Sequence, residues 1–144
     1  MSLPRITGFE DKDLTALNEA LRGLDKDKIK TIMWFIAGDP LTIGTDKSAY
    51  IVLDFNCLIL AAYARAKTAP TGADFIIDIN KNGSTIWATQ GNRLKIVAGT
   101  STGSQTLFDT KKLSTGDYLT VDVDQIGSSV GGSNVTIQLK VQEL

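Results

Sequence analysis

Apolar residues change their spacing near residue 31. Before that point Leu14, Leu17, Leu21 and Leu24 recur at intervals of three and four, while Asp11, Lys12, Asp13, Asn18, Glu19 and Arg22 fall on other faces. This is one apolar stripe of a helix, predicted over residues 11–24. Thr7 and Glu10 have capping-box spacing, Asp11 and Asp13 suit the positive end of the helix dipole, and Gly23 weakens the far end. The same spacing is the seam of a short coiled coil, although two heptads fall short of a convincing one. The stripe serves either packing on its own domain or contact between copies.

After Lys30 the pattern turns to β-branched and aromatic residues punctuated by Gly, Asn and Asp. The runs predict strands at Thr31–Ile36, Ala49–Phe55, Leu58–Ala66, Phe75–Asn80, Thr85–Thr89, Arg93–Ala98, Thr106–Thr110, Tyr118–Gln125 and Val135–Val141. Alternation is cleanest near the C-terminus, where Val135, Ile137, Leu139 and Val141 share one face and Thr136, Gln138, Lys140 and Gln142 the other. Leu119, Val121 and Val123 likewise oppose Thr120, Asp122 and Asp124. Strands with one dry and one wet face, and no long helix between them, imply antiparallel pairing. The expected fold is mainly β: an antiparallel β-sandwich, jelly-roll-like or Greek-key, preceded by a short N-terminal α-helix. Residues 1–30 form the helical segment, an anchor or oligomer contact, and residues 31–144 the sandwich domain.

The segment Asp78-Ile-Asn-Lys-Asn-Gly83 matches the start of an EF-hand calcium loop, and it also reads as two strands around an Asn-Gly turn. The twelfth loop position, where an EF-hand needs a bidentate carboxylate, is Thr89, and the flanks alternate as strands. A hairpin is therefore expected, with Lys81 facing Ser84, Asn80 facing Thr85 and Ile79 facing Ile86. Ala88 would continue the apolar face opposite Ile77, and Trp87 would lie opposite Asp78 on the other face. Neither a metal nor another cofactor is expected.

Charge and composition narrow the chemistry further. With 15 basic and 16 acidic residues the net charge is −1, which supplies no field for gathering nucleic acid or anionic lipid. Histidine is absent, which removes the commonest general base, the Ser-His and Cys-His nucleophile pairs and the commonest zinc ligand. Cys57 stands alone, so no disulfide framework forms within the chain and a buried thiol is the expectation. The N-terminus lacks the apolar run of a signal peptide, and the longest apolar stretch, Leu58 to Ala64, is too short to cross a bilayer. A soluble protein made in a cytoplasm, with no membrane partner, is expected. Asp122 and Asp124 are the carboxylates a hydrolase would use, but outward acids on a half-wet strand are routine. Trp87, Tyr63 and Tyr118 are candidates for a ligand or partner surface, such as a platform for sugar rings. The loops Gly99–Ser104 and Gly127–Ser133 lack the GK[ST] ending of a phosphate loop and read as flexible hairpin connections.

Three blocks carry a family likeness: Ala66-KTAPTGADFIIDINKNGSTIW-Ala88, Arg93-LKIVAGTST and Leu113-STGDYLTVDVDQIGSSVGGSNVTIQL-Lys140. Together they resemble a β-sandwich module that recurs in structural proteins of tailed bacteriophages, in tail, baseplate, fibre or head-decoration components. The resemblance implies a virion protein made in the host cytoplasm. It implies no catalytic residue, and association with itself, a trimer being favoured, and with other virion proteins. Leu14, Leu17, Leu21 and Leu24 are the candidate oligomer contact. The expected function is non-enzymatic assembly by protein–protein contact; the alternative is a β-sandwich that binds a carbohydrate or host receptor.

Overall fold

A computed structural model describes residues 11–144, without the side chains at positions 11 and 22–27. The capping pair Thr7 and Glu10, and the side chain of Leu24, lie outside the described residues. Helix α1 spans Asp11–Asp27, and after Lys28 the chain enters strand β1 (Ile29–Ile36). There follow β2 (Ile51–Val52), β3 (Cys57–Thr68), β4 (Phe75–Lys81), β5 (Ser84–Thr85), a 3-10 turn at Gln90–Asn92, β6 (Leu94–Ile96), β7 (Thr102–Gln105), β8 (Lys112–Leu113), β9 (Tyr118–Ile126) and β10 (Ser133–Glu143).

The strands form two five-stranded antiparallel sheets. The first has the order β1-β10-β3-β7, with β8 also paired to β3; the second has the order β2-β9-β4-β5, with β6 also paired to β4. Their inner faces share one core. Val135, Ile137, Leu139 and Val141 line it from the first sheet, and Phe75, Ile77, Ile79, Leu119 and Val121 from the second. Each such side chain, fully removed from water, contributes roughly 1.5–3 kcal/mol before the entropy of ordering it is counted. The fold is the β-sandwich that the alternating positions require. Cys57 is among the residues without solvent exposure, and burial, first, then Glu143 raise its thiol above the ordinary range.

Two bulges interrupt the alternation. Lys140 faces Ala61 while Val141 faces Ile59, leaving Leu60 as the extra residue of β3. Ile76 faces Gln125 while Ile77 faces Val123, leaving Asp124 as the extra residue of β9. A bulge redirects the side chain it carries.

The Asn-Gly hairpin forms in the expected register: Lys81 pairs with Ser84, Asn80 with Thr85, and the Ile86 amide donates to the Ile79 carbonyl at 3.0 Å. Asn82 and Gly83 have φ of 51° and 85°, the left-handed pair that such a tight turn demands. The return strand, however, ends at Thr85, not Thr89. Ala88 is exposed, and the place opposite Ile77 belongs to Leu94 of β6. Two further expectations fail. Residues 106–110 are not a strand, whereas Thr102–Gln105, part of an expected flexible loop, is one. Of the expected strand at Ala49–Phe55 only Ile51–Val52 pairs, with Leu119 and Tyr118.

Candidate functional site

The outward side of β4 and β9 gathers the polar residues singled out in the sequence. Asp78 lies opposite Asp122, and Asn80 opposite Thr120. Asp78 and Asn80 are 4% and 9% exposed, although they point away from the core. The backbone N–H of Asp46 donates to Asp122 Oδ1 at 2.9 Å, and Asn80 Nδ2 donates to its Oδ2 at 2.8 Å. Asp122 thereby ties the segment before β2 to the middle of the sheet. Arg93 lies between two acids, with Nη1 2.7 Å from Asp124 Oδ2 and Nη2 3.4 Å from Asp78 Oδ2. The bulge at Asp124 brings this contact about. Thr85 Oγ1 donates to Asp78 and accepts the Trp87 N–H. Burial raises the Asp78 carboxyl above its ordinary value, while the Thr85 hydrogen bond and the Arg93 charge pull the other way.

The amides that would serve a calcium loop are engaged in the same manner. Asn82 Nδ2 donates to Asp117 Oδ1 at 2.8 Å and its Oδ1 accepts the Tyr118 N–H at 3.0 Å, so Asn82 clamps its turn to the start of β9. Asp117 in turn accepts from the Ser114 backbone, which, first among its partners, lowers its carboxyl below the ordinary value. Among the described residues no group of three or more potential ligand side chains is placed to hold a metal ion.

The three expected surface aromatics separate. Trp87 is fully buried: its ring stacks on Phe108 with centroids 5.5 Å apart, and Nε1 donates to the Leu107 carbonyl at 2.8 Å. It is therefore a core residue and no ligand surface. The cause is the early end of β5, after which the chain no longer follows the alternation that would have turned Trp87 outward. Tyr118 stacks on Tyr50, with ring centroids 5.1 Å apart and planes within 10°. Tyr63 stands on the outer face of the first sheet, 41% exposed.

Tyr63 belongs to a broader surface on that outer face. Register sets Met33, Gln138, Tyr63 and Ser104 in one row across four strands, and Phe35, Thr136, Arg65 and Thr102 in the next. Met33 is 54% and Phe35 62% exposed. A cavity of about 370 Å³ opens beside Tyr63 and Arg65, with Gly103 in its lining. A side chain at 103 would meet the Lys95 carbonyl oxygen at 1.8 Å, so only glycine lets β7 approach β6 there. The signal for this face was present in the run Ile32-Met-Trp-Phe-Ile36, which is apolar at every position instead of every second one.

The stripe of α1 is equally bare. Leu14, Leu17 and Leu21 are each about half exposed, at 47%, 50% and 50%. Among the described elements α1 makes its main contact with β1, and that contact is light. No helix among the described residues is long and apolar enough to cross a membrane.

No protein-family model matches the chain, and no curated protein is similar to it. Solved structures offer distant likenesses. The catalytic unit of a thermostable GH87 alpha-1,3-glucanase from Streptomyces thermodiastaticus has 12% identity and a TM-score of 0.42, over 78% of this chain and 26% of that one. The capsid asymmetric unit of cyanophage Pam1 has 10% identity and a TM-score of 0.39, over 79% of this chain and 84% of that one. Dimeric latent PorU from Porphyromonas gingivalis has 12% identity and a TM-score of 0.29, over 81% of this chain and 10% of that one. Likenesses this distant carry no weight in assigning a role, and the chain spans only about a quarter of the glucanase unit.

Proposed function

We propose that this chain is a non-enzymatic structural module of a phage virion that works by protein–protein contact and associates with copies of itself, a trimer being the favoured form. One observation carries the reading: Leu14, Leu17 and Leu21 stay half exposed on α1 while the sandwich closes its own core without them. A helix of 17 residues is marginal in water on its own, and most helical stability in proteins comes from burying the apolar face. Association supplies that burial. The sequence blocks that resemble phage β-sandwich modules supply the virion context, and Asp78, Asp122 and Asp124 are each held by donors of the chain itself.

Light scattering on the full chain tests the reading. The wild type is expected to have a mass that is a multiple of 15.5 kDa, and Leu17→Asp, on an exposed position, is expected to shift the mass toward one copy while the sandwich stays folded, its melting point falling only by what association contributed. A wild type of one-copy mass across the micromolar range would defeat the proposal. The second reading, a carbohydrate-binding module, draws on the cavity beside Tyr63, where a flat ring adjoins Arg65, Thr136 and Gln138. Glycan-array binding that disappears in Tyr63→Ala would favour it.

A further inference from the structure

Among the described residues two apolar surfaces are left largely uncovered: the leucine stripe of α1, and the outer face of the first sheet around Met33, Phe35 and Tyr63. We infer that they are partners of each other between copies, the α1 stripe of one chain seating on the outer face of the β1-β10-β3 sheet of a second chain. This deepens the self-association proposed above and rests on it.

Four observations support the pairing. First, β1 is built for layers on both sides. Ile32, Trp34 and Ile36 are 4–8% exposed on the core side, and Met33 and Phe35 alternate with them outside. Second, the dimensions agree. From Leu14 to Leu21 the stripe runs about 10 Å along a helix, and from Met33 across β10 to Tyr63 is two strand spacings, also about 10 Å. An amphipathic helix laid on a sheet is a standard two-layer solution for burying both.

Third, the charges are complementary. At the outward positions of this sheet the charged residues are Arg65, Lys67, Lys112 and Lys140, with no acid among them. The segment forming α1 holds five acidic and three basic residues, a net −2, in a chain whose total is −1. A docked helix would thus bring acid to base, which guides encounter and register more than it adds affinity.

Fourth, the helix cannot easily serve its own sheet. Only Lys28 separates α1 from β1. Connections between a helix and a strand that reverse direction usually take about two to six residues. A helix tethered this closely to an edge strand has little chain with which to fold back over its own sheet, and its described residues from Leu14 to Leu21 stay exposed, available to a neighbour. Two copies exchanging helices would close a dimer, and copies passing them in one direction would close a ring such as a trimer.

Disulfide trapping tests the inference on the full chain. Native Cys57 is fully buried and stays silent. The variants Leu17→Cys and Phe35→Cys change exposed positions and leave the sandwich core intact. Mixed in equal amounts and oxidised with copper phenanthroline, they are expected to give mainly the mixed disulfide, several-fold over either like-with-like product. Arg65→Glu with Lys140→Glu is expected to lower that yield several-fold at low salt. A product dominated by Leu17→Cys joined to Leu17→Cys, or no disulfide from chains that light scattering shows to be associated, would overturn the helix-on-sheet contact while leaving self-association standing. One-copy mass for the wild type would overturn both.

Discussion

Asp78 is a carboxyl that its sequence neighbours would place in water and that its fold covers. Thr85, Arg93 and the cross-strand Asp122 enclose it on the outer side of β4, and burial outweighs the donors, so its pKa lies above the ordinary value. A carboxyl raised in this way binds its proton more tightly folded than unfolded. Ionisation then draws stability from the fold as pH rises from the ordinary carboxylate range through the raised value, and no further beyond it. Asp78→Asn keeps a neutral side chain throughout. Its stability deficit against the wild type, measured by chemical denaturation at matched ionic strength, is expected to narrow as pH climbs through that window. A deficit that widens instead would mean that the Arg93 pair outweighs burial. Little of this could be read beforehand, because the cover over Asp78 comes from Arg93, 15 positions along the chain, and from a bulge that leaves no mark in sequence spacing.

The hairpin between β4 and β5 is the element that local chemistry determines most fully. Asn82 and Gly83 both sit in the left-handed region, where glycine alone enters without cost, and the pairing on either side follows from the turn. A Cβ at position 83 would meet nothing nearer than Tyr118 Oη at 3.8 Å, so the effect of Gly83→Val is expected from backbone strain at its φ of 85°. The expected loss is about 1–2 kcal/mol or more, read from the shift in denaturation midpoint; an unchanged midpoint would contradict the turn. Strand β10 was equally legible, since Val135, Ile137, Leu139 and Val141 alternate without interruption and all end in the core. The return strand was legible only as far as Thr85. Beyond it Ile86 and Trp87 both enter the core, and the partners that draw Trp87 inward, the Leu107 carbonyl and Phe108, lie 20 and 21 positions away. Period-two reasoning carries a strand forward for as long as residues look suitable, and it cannot see where a neighbouring strand, here β6, takes over the edge. Placing a strand at 106–110 in place of Thr102–Gln105 failed for a related reason: Gly103 looked like loop but is the small residue that lets β7 close on Lys95.

The described part of the molecule divides between a sandwich that closes its own apolar core and apolar surfaces that it leaves uncovered. Both sheets meet over a shared core, yet the chain also keeps three leucines half in water on α1 and two large apolar side chains on the outside of β1. The leucine stripe was legible as a helix face, though not whether its partner lay within the chain or outside it. The outer face of β1 was legible only as an excess of apolar residues in the run Ile32 to Ile36. On the self-association proposed above, both features have the same physical meaning: each is covered by a second copy. Hydrogen–deuterium exchange of the α1 amides between Leu14 and Leu21, followed as protein concentration rises through the range of association, asks this most directly. Protection of those amides is expected to climb with concentration as a second copy covers the stripe. Fast exchange that is the same at every concentration would contradict it.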